Sequence, residues 1–334
     1  MGSRAKRVIP PEFNKMRLLM KYAKISGIGS YLPEKVLTNH DLEAMVDTTD
    51  EWITERSGIK CRHIAADDEN VVSMAEIAAR QAIKDAGILP EDLDLILVGT
   101  CTSEHFFPST ACLLQSKLKA KNAAAMDLSA ACTGFVYGLS IADQYIRTGM
   151  AKHVLVVGSE TLSRVLDWQD RTTCVLFGDG AGAAVLSASD EPGILASKIR
   201  SDGDHGDVLK LPTPIRGLDS LVSMQGREVF KLAVNKLSKA VDEILEEAGI
   251  TKDQVDWFVP HQANVRIINM ITRQTKLDPE KVIVTLEDHA NTSTASIPLA
   301  FHDAVKKRLI KRGDTVLFEA FGGGLTWGSV LFKY

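Results

Sequence analysis

Three side chains with chemistry to offer, a thiol, an imidazole and a carboxamide, fall where strands give way to helices. In Asp127-Leu128-Ser129-Ala130-Ala131-Cys132-Thr133-Gly134-Phe135, the apolar run from Ala123 to Leu128 predicts a buried strand, and the periodic run from Phe135 to Ile146 predicts a helix. Cys132 then lies at the positive end of a helix dipole. That position stabilises a thiolate and can bring a cysteine pKa from about 8.5 into the range of roughly 3.5–7.5. Ala130, Ala131 and Gly134 are small enough to let a bulky substrate approach. Cys132 is therefore a candidate nucleophile, against the ordinary alternative of a buried, inert thiol.

The second candidate ends the strand Trp257 to Val259, in Pro260-His261-Gln262-Ala263-Asn264. Ligands of parallel α/β sheets bind beyond the carboxyl ends of strands, and a histidine there can donate a hydrogen bond or act as a base near neutral pH. The third lies in Glu287-Asp288-His289-Ala290-Asn291-Thr292-Ser293-Thr294-Ala295-Ser296-Ile297-Pro298, where Asn291 just precedes a helix. Asn, Thr and Ser are good N-caps, so this stretch alone reads as structural. Convergence of Cys132, His261 and Asn291 on one side of the predicted sheets argues for a shared site. The runs Gly178-Asp179-Gly180-Ala181-Gly182 and Gly322-Gly323-Gly324 lack the Lys-Ser/Thr and following helix of a phosphate loop, so they predict tight turns into strands. A Gly323 N–H aimed at a substrate carbonyl would complete an oxyanion hole.

The elements that must position these residues occur twice. Asp85-Ala86-Gly87-Ile88-Leu89-Pro90-Glu91-Asp92-Leu93-Asp94 follows a helix from about Val72 and precedes the strand Leu95 to Cys101. Glu247-Ala248-Gly249-Ile250-Thr251-Lys252-Asp253-Gln254-Val255-Asp256 does the same after a helix from about Arg227, 162 residues on from Asp85 to Glu247. The match continues: strand 123–128 answers 282–286, the helix near Cys132 answers one near Thr294, and strand 153–159 answers 315–320. Each half reads β-α-β-α-β-α-β-β. The pattern predicts an α/β protein with mostly parallel sheets covered on both faces, and a pseudo-two-fold that brings the helices near Cys132 and Thr294 together. Upstream, Ala23 to Tyr31 predicts a strand, Asn39 is expected to cap a short helix ending near Met45, and a second short helix runs from Thr48 to Gly58. Residues 1–20 read as a leader or loose arm outside the fold.

Composition excludes several classes. The 334 residues are 45% hydrophobic and 25% charged, with a formal net charge of -4, which gives no basic field for nucleic acid. No run reaches membrane-spanning length, and no secretory signal is legible. Five cysteines without a Cys-x-x-Cys pair argue against a disulfide framework or zinc module, and fit a reducing cytoplasm. His261 and His289 have no ligand at metal spacing beside them, so no metal is expected.

Taken together, the Cys132 stretch, His261-Gln262-Ala263-Asn264-Val265-Arg266, His289-Ala290-Asn291-Thr292-Ser293 and Glu319-Ala320-Phe321-Gly322-Gly323-Gly324-Leu325-Thr326-Trp327-Gly328 resemble the signatures of bacterial 3-oxoacyl-[acyl-carrier-protein] synthase III. The resemblance runs in order from about Lys21 to Tyr334. It implies a thiolase-like fold of duplicated βαβαβαββ halves, residues 21–190 and 191–334, in five αβαβα layers. It also implies the first condensation of type II fatty acid synthesis, in which acetyl-CoA and malonyl-acyl carrier protein give acetoacetyl-acyl carrier protein through an acyl-Cys132. His261 and Asn291 would stabilise the enolate, and the N–H groups of Cys132 and Gly323 would form the oxyanion hole beside Phe321. Thr48, Trp52, Arg56, Arg171 and Asn264 match CoA-contacting positions, with Trp52 and Arg171 sandwiching the adenine. Lys231, Arg266 and Arg273 match a basic patch for the acidic carrier protein. Phe107 matches a residue that closes the acyl pocket across a homodimer interface, which points to a short primer. No cofactor is implied, since acetyl-CoA is a substrate. Alternatives left open by the residues are a nucleotide-using α/β enzyme, a non-catalytic relative, and a synthase that condenses secondary-metabolite thioesters.

Overall fold

The structure, a computed structural model, describes residues 21–216 and 220–334. The first half contains β1 (Tyr22–Tyr31), β2 (Lys35–Thr38), α1 (Asn39–Glu43), α2 (Asp50–Ser57), β3 (Cys61–Ile64), α3 (Val71–Asp85), β4 (Leu95–Gly99), α4 (Thr110–Leu118), β5 (Ala124–Leu128), α5 (Gly134–Arg147), β6 (His153–Glu160) and β7 (Gly180–Ser189). The second contains β8 (Ile194–Ser201), β9 (Leu209–Lys210), β10 (Ser223–Met224), α6 (Gly226–Ala248), β11 (Trp257–Pro260), α7 (Val265–Thr275), α8 (Leu286–His289), α9 (Ser296–Lys306), β12 (Thr315–Gly322) and β13 (Thr326–Lys333). Strand order is β1-β7-β6-β4-β5 in one large sheet and β8-β13-β12-β11 in the other, the same order from corresponding strands.

Five layers follow from which faces are apolar. Helices α3 and α4 cover the outer face of the first sheet through Met74, Ala78, Ala82 and Leu114, and α6 and α7 cover the second through Val234, Leu237, Val241 and Ile271. Helices α5 and α9 lie between the sheets, where Phe135, Leu139, Phe301, Phe318 and Phe332 share one core with residues from both halves. Phe301 meets Phe318, Phe332 and Tyr334 edge-on, with centroids 4.9–5.8 Å away, the arrangement ring quadrupoles favour.

The central turns pack glycine backbone directly against Thr294. A Cβ on Gly99 would stand 2.8 Å from Thr294 Oγ1 and 2.9 Å from the Gly134 carbonyl carbon, and one on Gly158 would stand 2.5 Å from Thr294 O. Helix α5 begins without a capping side chain of its own, and the Phe135 N–H donates instead to Thr294 Oγ1 at 2.9 Å. One half thus caps the central helix of the other.

Three expectations change. The sheets are mixed: β6, β4 and β5 run parallel, as do β11 and β12, while β7 and β13 pair antiparallel with their neighbours. Strand β13 returns from β12 through a tight turn and β7 from β6 through the longer segment 161–179, neither with a crossover helix, so both returns are antiparallel. Residues 282–286 form no strand; Val282 makes one bridge to Phe258. The reason is Gln262, whose buried amide accepts from Thr285 N at 2.8 Å and donates to Ile283 O at 3.2 Å, so a side chain takes ladder bonds. Thr38, not Asn39, caps α1, and Asn39 is drawn inward to Asp50, Ile59 O and Arg62. Residues 1–20, read as a leader or arm, lie outside the described residues.

If the glycine contact holds the layers together, Gly99→Val should lower unfolding stability by about 1–3 kcal/mol, the usual cost of overpacking. Gly203→Ala, with open space around it, should leave the denaturant midpoint unchanged.

Candidate active site

Cys132, His261 and Asn291 are each under a tenth exposed and line one cavity of about 150 Å³ with Phe321, Asn264, Leu176, Phe177 and apolar residues of α6 and α7. Cys132 follows Ala131, whose φ of 45° is left-handed, and the turn leads into α5. Ser293, 162 residues on from Ala131, has a φ of 52° and leads into α9. Non-glycine residues in this region cost of order 1–3 kcal/mol, so surrounding packing enforces both turns. Two straps hold the first: Thr326 Oγ1 donates to Ala130 O at 2.8 Å, and Thr133 Oγ1 to Thr326 O at 3.2 Å. Gly322 leaves room behind Cys132, since a Cβ there would meet Cys132 N at 2.7 Å.

Hydrogen bonds determine what each group presents. The His261 N–H donates to Glu319 O at 2.7 Å, fixing the residue at the end of β11. Ser296 Oγ accepts from Gln262 N at 3.3 Å and lies 2.6 Å from His261 Nδ1. The buried Ser296 hydroxyl has no other acceptor among the described residues, so it donates to Nδ1, which places the imidazole proton on Nε2. Burial holds the His261 pKa down at about 3, so the ring is neutral. Asn291 Oδ1 accepts from Ser293 N at 2.9 Å, and the remaining end of that amide is its NH₂. His261 and Asn291 are therefore neutral N–H donors in the same cavity.

The thiol departs from expectation. Burial pushes Cys132 up to about 11, against a lowering contact from the Ser293 hydroxyl, whose Oγ donates to Sγ at 3.3 Å. Desolvation of the charged form outweighs the helix terminus.

The other predicted residues form separate groups. The Trp52 ring carries the Arg56 guanidinium 4.8 Å from its centroid and that of Arg171 at 5.1 Å. Arg171 also donates to Asp47 O at 2.7 Å, which holds its guanidinium beside the indole. Thr48 Oγ1 is buried without a partner beside them. Asn264 caps α7 by accepting from Arg266 N and donates to Arg56 O at 2.8 Å, joining this group to the cavity wall. Lys231 on α6 and Arg266 and Arg273 on α7 are exposed, with no ion-pair partner among the described residues. Phe107 is 87% exposed and lines no part of the cavity. Gly323 also stands outside the lining, one residue beyond Gly322. Among the described residues no His, Cys, Asp or Glu cluster is arranged to hold a metal, and no helix is long and apolar enough to cross a membrane. Sequence reasoning missed the positioning roles of Ser293, Ser296 and Gln262. All three lie inside the motifs it quoted, where Ser293 and Ser296 read as caps and Gln262 carried no assigned role.

A thiol from one half facing an imidazole and an amide from the other, across the middle of a duplicated five-layer fold, is the plan of thiolase-like condensing enzymes. Residues 126–203 match the family model for 3-oxoacyl-[acyl-carrier-protein] synthase III, and residues 245–334 match its C-terminal model. The chain is 56% identical to the β-ketoacyl-[acyl-carrier-protein] synthase III of Methylococcus capsulatus, over 95% of this chain and all of that protein. It is 53% identical to that of Thioalkalivibrio sulfidiphilus, over 94% of this chain and all of the relative. The crystal structure of 3-oxoacyl-[acyl-carrier-protein] synthase III from Aquifex aeolicus superposes with a TM-score of 0.90 at 50% identity, covering 93% of this chain and all of that one. The chain belongs to the 3-oxoacyl-[acyl-carrier-protein] synthase III family, and it is an acyltransferase.

Heteronuclear NMR of the imidazole nitrogens should find His261 neutral from about pH 8 to pH 5; a midpoint near 6.5, the unperturbed value, would contradict the assigned burial. Its folded pKa lies below the unfolded one, so the stability it contributes is complete above about pH 6.5 and is lost as pH falls toward 3.

Proposed function

We propose that the protein condenses acetyl-CoA, or another short acyl-CoA, with malonyl-acyl carrier protein to give acetoacetyl-acyl carrier protein, CoA and CO₂. The observation that carries this reading is the pairing of one thiol with two neutral N–H donors in a single apolar cavity. Cys132 attacks the acyl thioester and CoA leaves, which divides the reaction into two half-reactions. Malonyl thioester then loses CO₂, and its electron pair becomes an enolate whose oxygen accepts from His261 Nε2 and Asn291 Nδ2. A donor aimed at developing charge in a water-poor site is worth about 2.7–4 kcal/mol. The enolate carbon attacks the acyl-Cys132 carbonyl, the N–H groups of Cys132 and Gly323 hold that oxyanion, and Cys132 leaves as the thiolate, which takes up from solvent the one proton that the decarboxylative condensation consumes. Residues 21–190 and 191–334 are then two copies of one unit that divide this labour.

Substrate contacts follow the same reading. Trp52, Arg171, Thr48 and Arg56 bind the nucleotide end of CoA, and its pantetheine passes Asn264 to Cys132. Guanidinium stacking on an indole contributes about 0.5–1 kcal/mol at an exposed site. Lys231, Arg266 and Arg273 receive the acidic carrier protein on a molecule of net negative charge, speeding encounter more than tightening it. The chain works as a homodimer: β5 is an edge strand whose Ala124 and Met126 are exposed, and Phe106 and Phe107 stand exposed in the loop after β4. Phe107 then reaches the partner's acyl pocket and keeps the primer short. The setting is the cytoplasm, and no further cofactor takes part.

Intact-mass analysis after exposure to acetyl-CoA should show acetylation of the native protein and none of Cys132→Ala. His261→Ala should still acetylate but lose malonyl decarboxylation on the order of 10²–10³-fold; undiminished decarboxylation would remove His261 from its role. Replacing Arg266 and Arg273 together by Glu should raise KM for malonyl-acyl carrier protein several-fold, on the order of the 1 kcal/mol scale of exposed charge pairs, and leave turnover of malonyl-CoA unchanged.

A further inference from the structure

Asn291 has no helix or strand of its own to hold it. It stands between Ala290, with a φ of 54°, and Ser293, with a φ of 52°, and its backbone is fixed from outside. Asn291 N donates to Leu176 O at 3.0 Å, and Gly178 N donates to Asn291 O at 3.0 Å. The segment that supplies these bonds, 174–178, is itself a run of turns between β6 and β7. Arg62, on β3, ties that segment down from behind. Its wholly buried guanidinium donates from Nη2 to Val175 O at 2.8 Å, and from Nη1 to Asn39 Oδ1 at 2.9 Å and Leu37 O at 3.1 Å. One planar fork therefore joins the β2–β3 hairpin to the segment that registers Asn291. Gly178 lies against the stem of the same side chain, where a Cβ would come 3.1 Å from Arg62 Cβ. All the acceptors of Arg62 are neutral, and its Nε is buried without a partner. Burying a cation in this way is costly, and a packed apolar side chain is often as stable or more so. Stability is thus a poor reason for the guanidinium, whereas its directed donors are a good one. Burial lowers its pKa only to about 10, so it is charged at neutral pH. The charge reaches a carboxylate through Asn39, whose Nδ2 donates to Asp50 Oδ1 at 2.8 Å.

We propose that Arg62 is a positioning residue for Asn291: by holding Val175 O it fixes the backbone of 176–178, which in turn sets where the Asn291 amide stands for the decarboxylation step. The proposal rests on the reading above that Asn291 stabilises the enolate. Arg62 forms no part of the cavity wall and acts only through that segment. The Cys132 turn is strapped separately, by Thr326 and Thr133, so acyl transfer to the thiol does not pass through this joint. The two half-reactions must then respond differently when Arg62 is changed. Lysine keeps the charge but lacks the fork that reaches Val175 and Asn39 together, and glutamine loses both charge and reach. A donor displaced by about 1 Å can lose on the order of 100-fold in rate, which sets the scale of the effect.

The test measures two rates on the native chain, Arg62→Lys, Arg62→Gln, Asn291→Ala and the double variant Arg62→Lys with Asn291→Ala. One is acetylation by saturating acetyl-CoA, read by intact mass; the other is CO₂ release from malonyl-acyl carrier protein by chains acetylated beforehand. Asn291→Ala should lose CO₂ release on the order of 10²–10³-fold. Arg62→Lys should lose it on the order of 10-fold and Arg62→Gln on the order of 100-fold, with acetylation within about twofold of native in both. In the double variant Arg62→Lys should add less than about twofold to the loss from Asn291→Ala, because the amide it positions is gone. Native CO₂ release by both Arg62 variants beside a deficient Asn291→Ala would overturn the positioning role alone. So would an equal loss of both rates, or a fully additive loss in the double variant, each of which marks a merely structural arginine. If Arg62→Gln does not fold, Arg62→Lys and the double variant decide. Native CO₂ release by Asn291→Ala would sink the enolate reading, and the proposal with it.

Discussion

Direct contact between the two halves, the Thr294 hydroxyl against Gly99 and Gly134 and its carbonyl against Gly158, is the constraint on which the rest of the molecule depends. Any side chain at those glycines would part the central turns by an atom's width or more. Because none intervenes, Cys132 and Ser293, 161 residues apart in sequence, come within 3.3 Å. The same contact supplies the cap that α5 lacks and compresses Ala131 and Ser293 into left-handed backbone. A close-packed interior transmits such compression instead of absorbing it, which is how two mildly strained turns are kept in register.

Burial then governs the electrostatics. The cavity disfavours every charged form within it, raising the thiol and lowering the imidazole, so its polar groups are set as neutral donors and acceptors. Their directions come from neighbours that sequence alone would class as caps: Ser296 determines the His261 tautomer, and the Ser293 N–H determines which end of Asn291 faces inward. Preorganised donors of this kind need no rearrangement when charge develops, and that economy is what a water-poor site provides.

The duplication matters most where it is broken. Gly99, which must be small to admit Thr294, has His261 as its counterpart 162 residues on, at the end of β11. Strand β5 is an exposed edge, whereas its counterpart around Val282 is reduced to one bridge because Gln262 takes its hydrogen bonds. One fold used twice thus yields a half that carries sulfur and a half that carries donors, with different outer edges.

How much of this was legible follows from the range of the forces involved. Periodicity, turn glycines and the spacing from Asp85 to Glu247 determined the elements, their order and the repeat, because these are local choices of buried face and backbone conformation. The same reading placed Cys132, His261 and Asn291 at strand ends. Strand direction, the loss of the strand at 282–286 and the cap of α1 by Thr38 were decided by contacts with distant segments, which no window of sequence contains. The clearest case is the thiol: its helix-end position predicted a lowered pKa, but burial in the folded interior raised it. Sequence determines which groups a chain carries, while desolvation and orientation depend on what folding brings from elsewhere, so only the tertiary structure set their ionisation and aim.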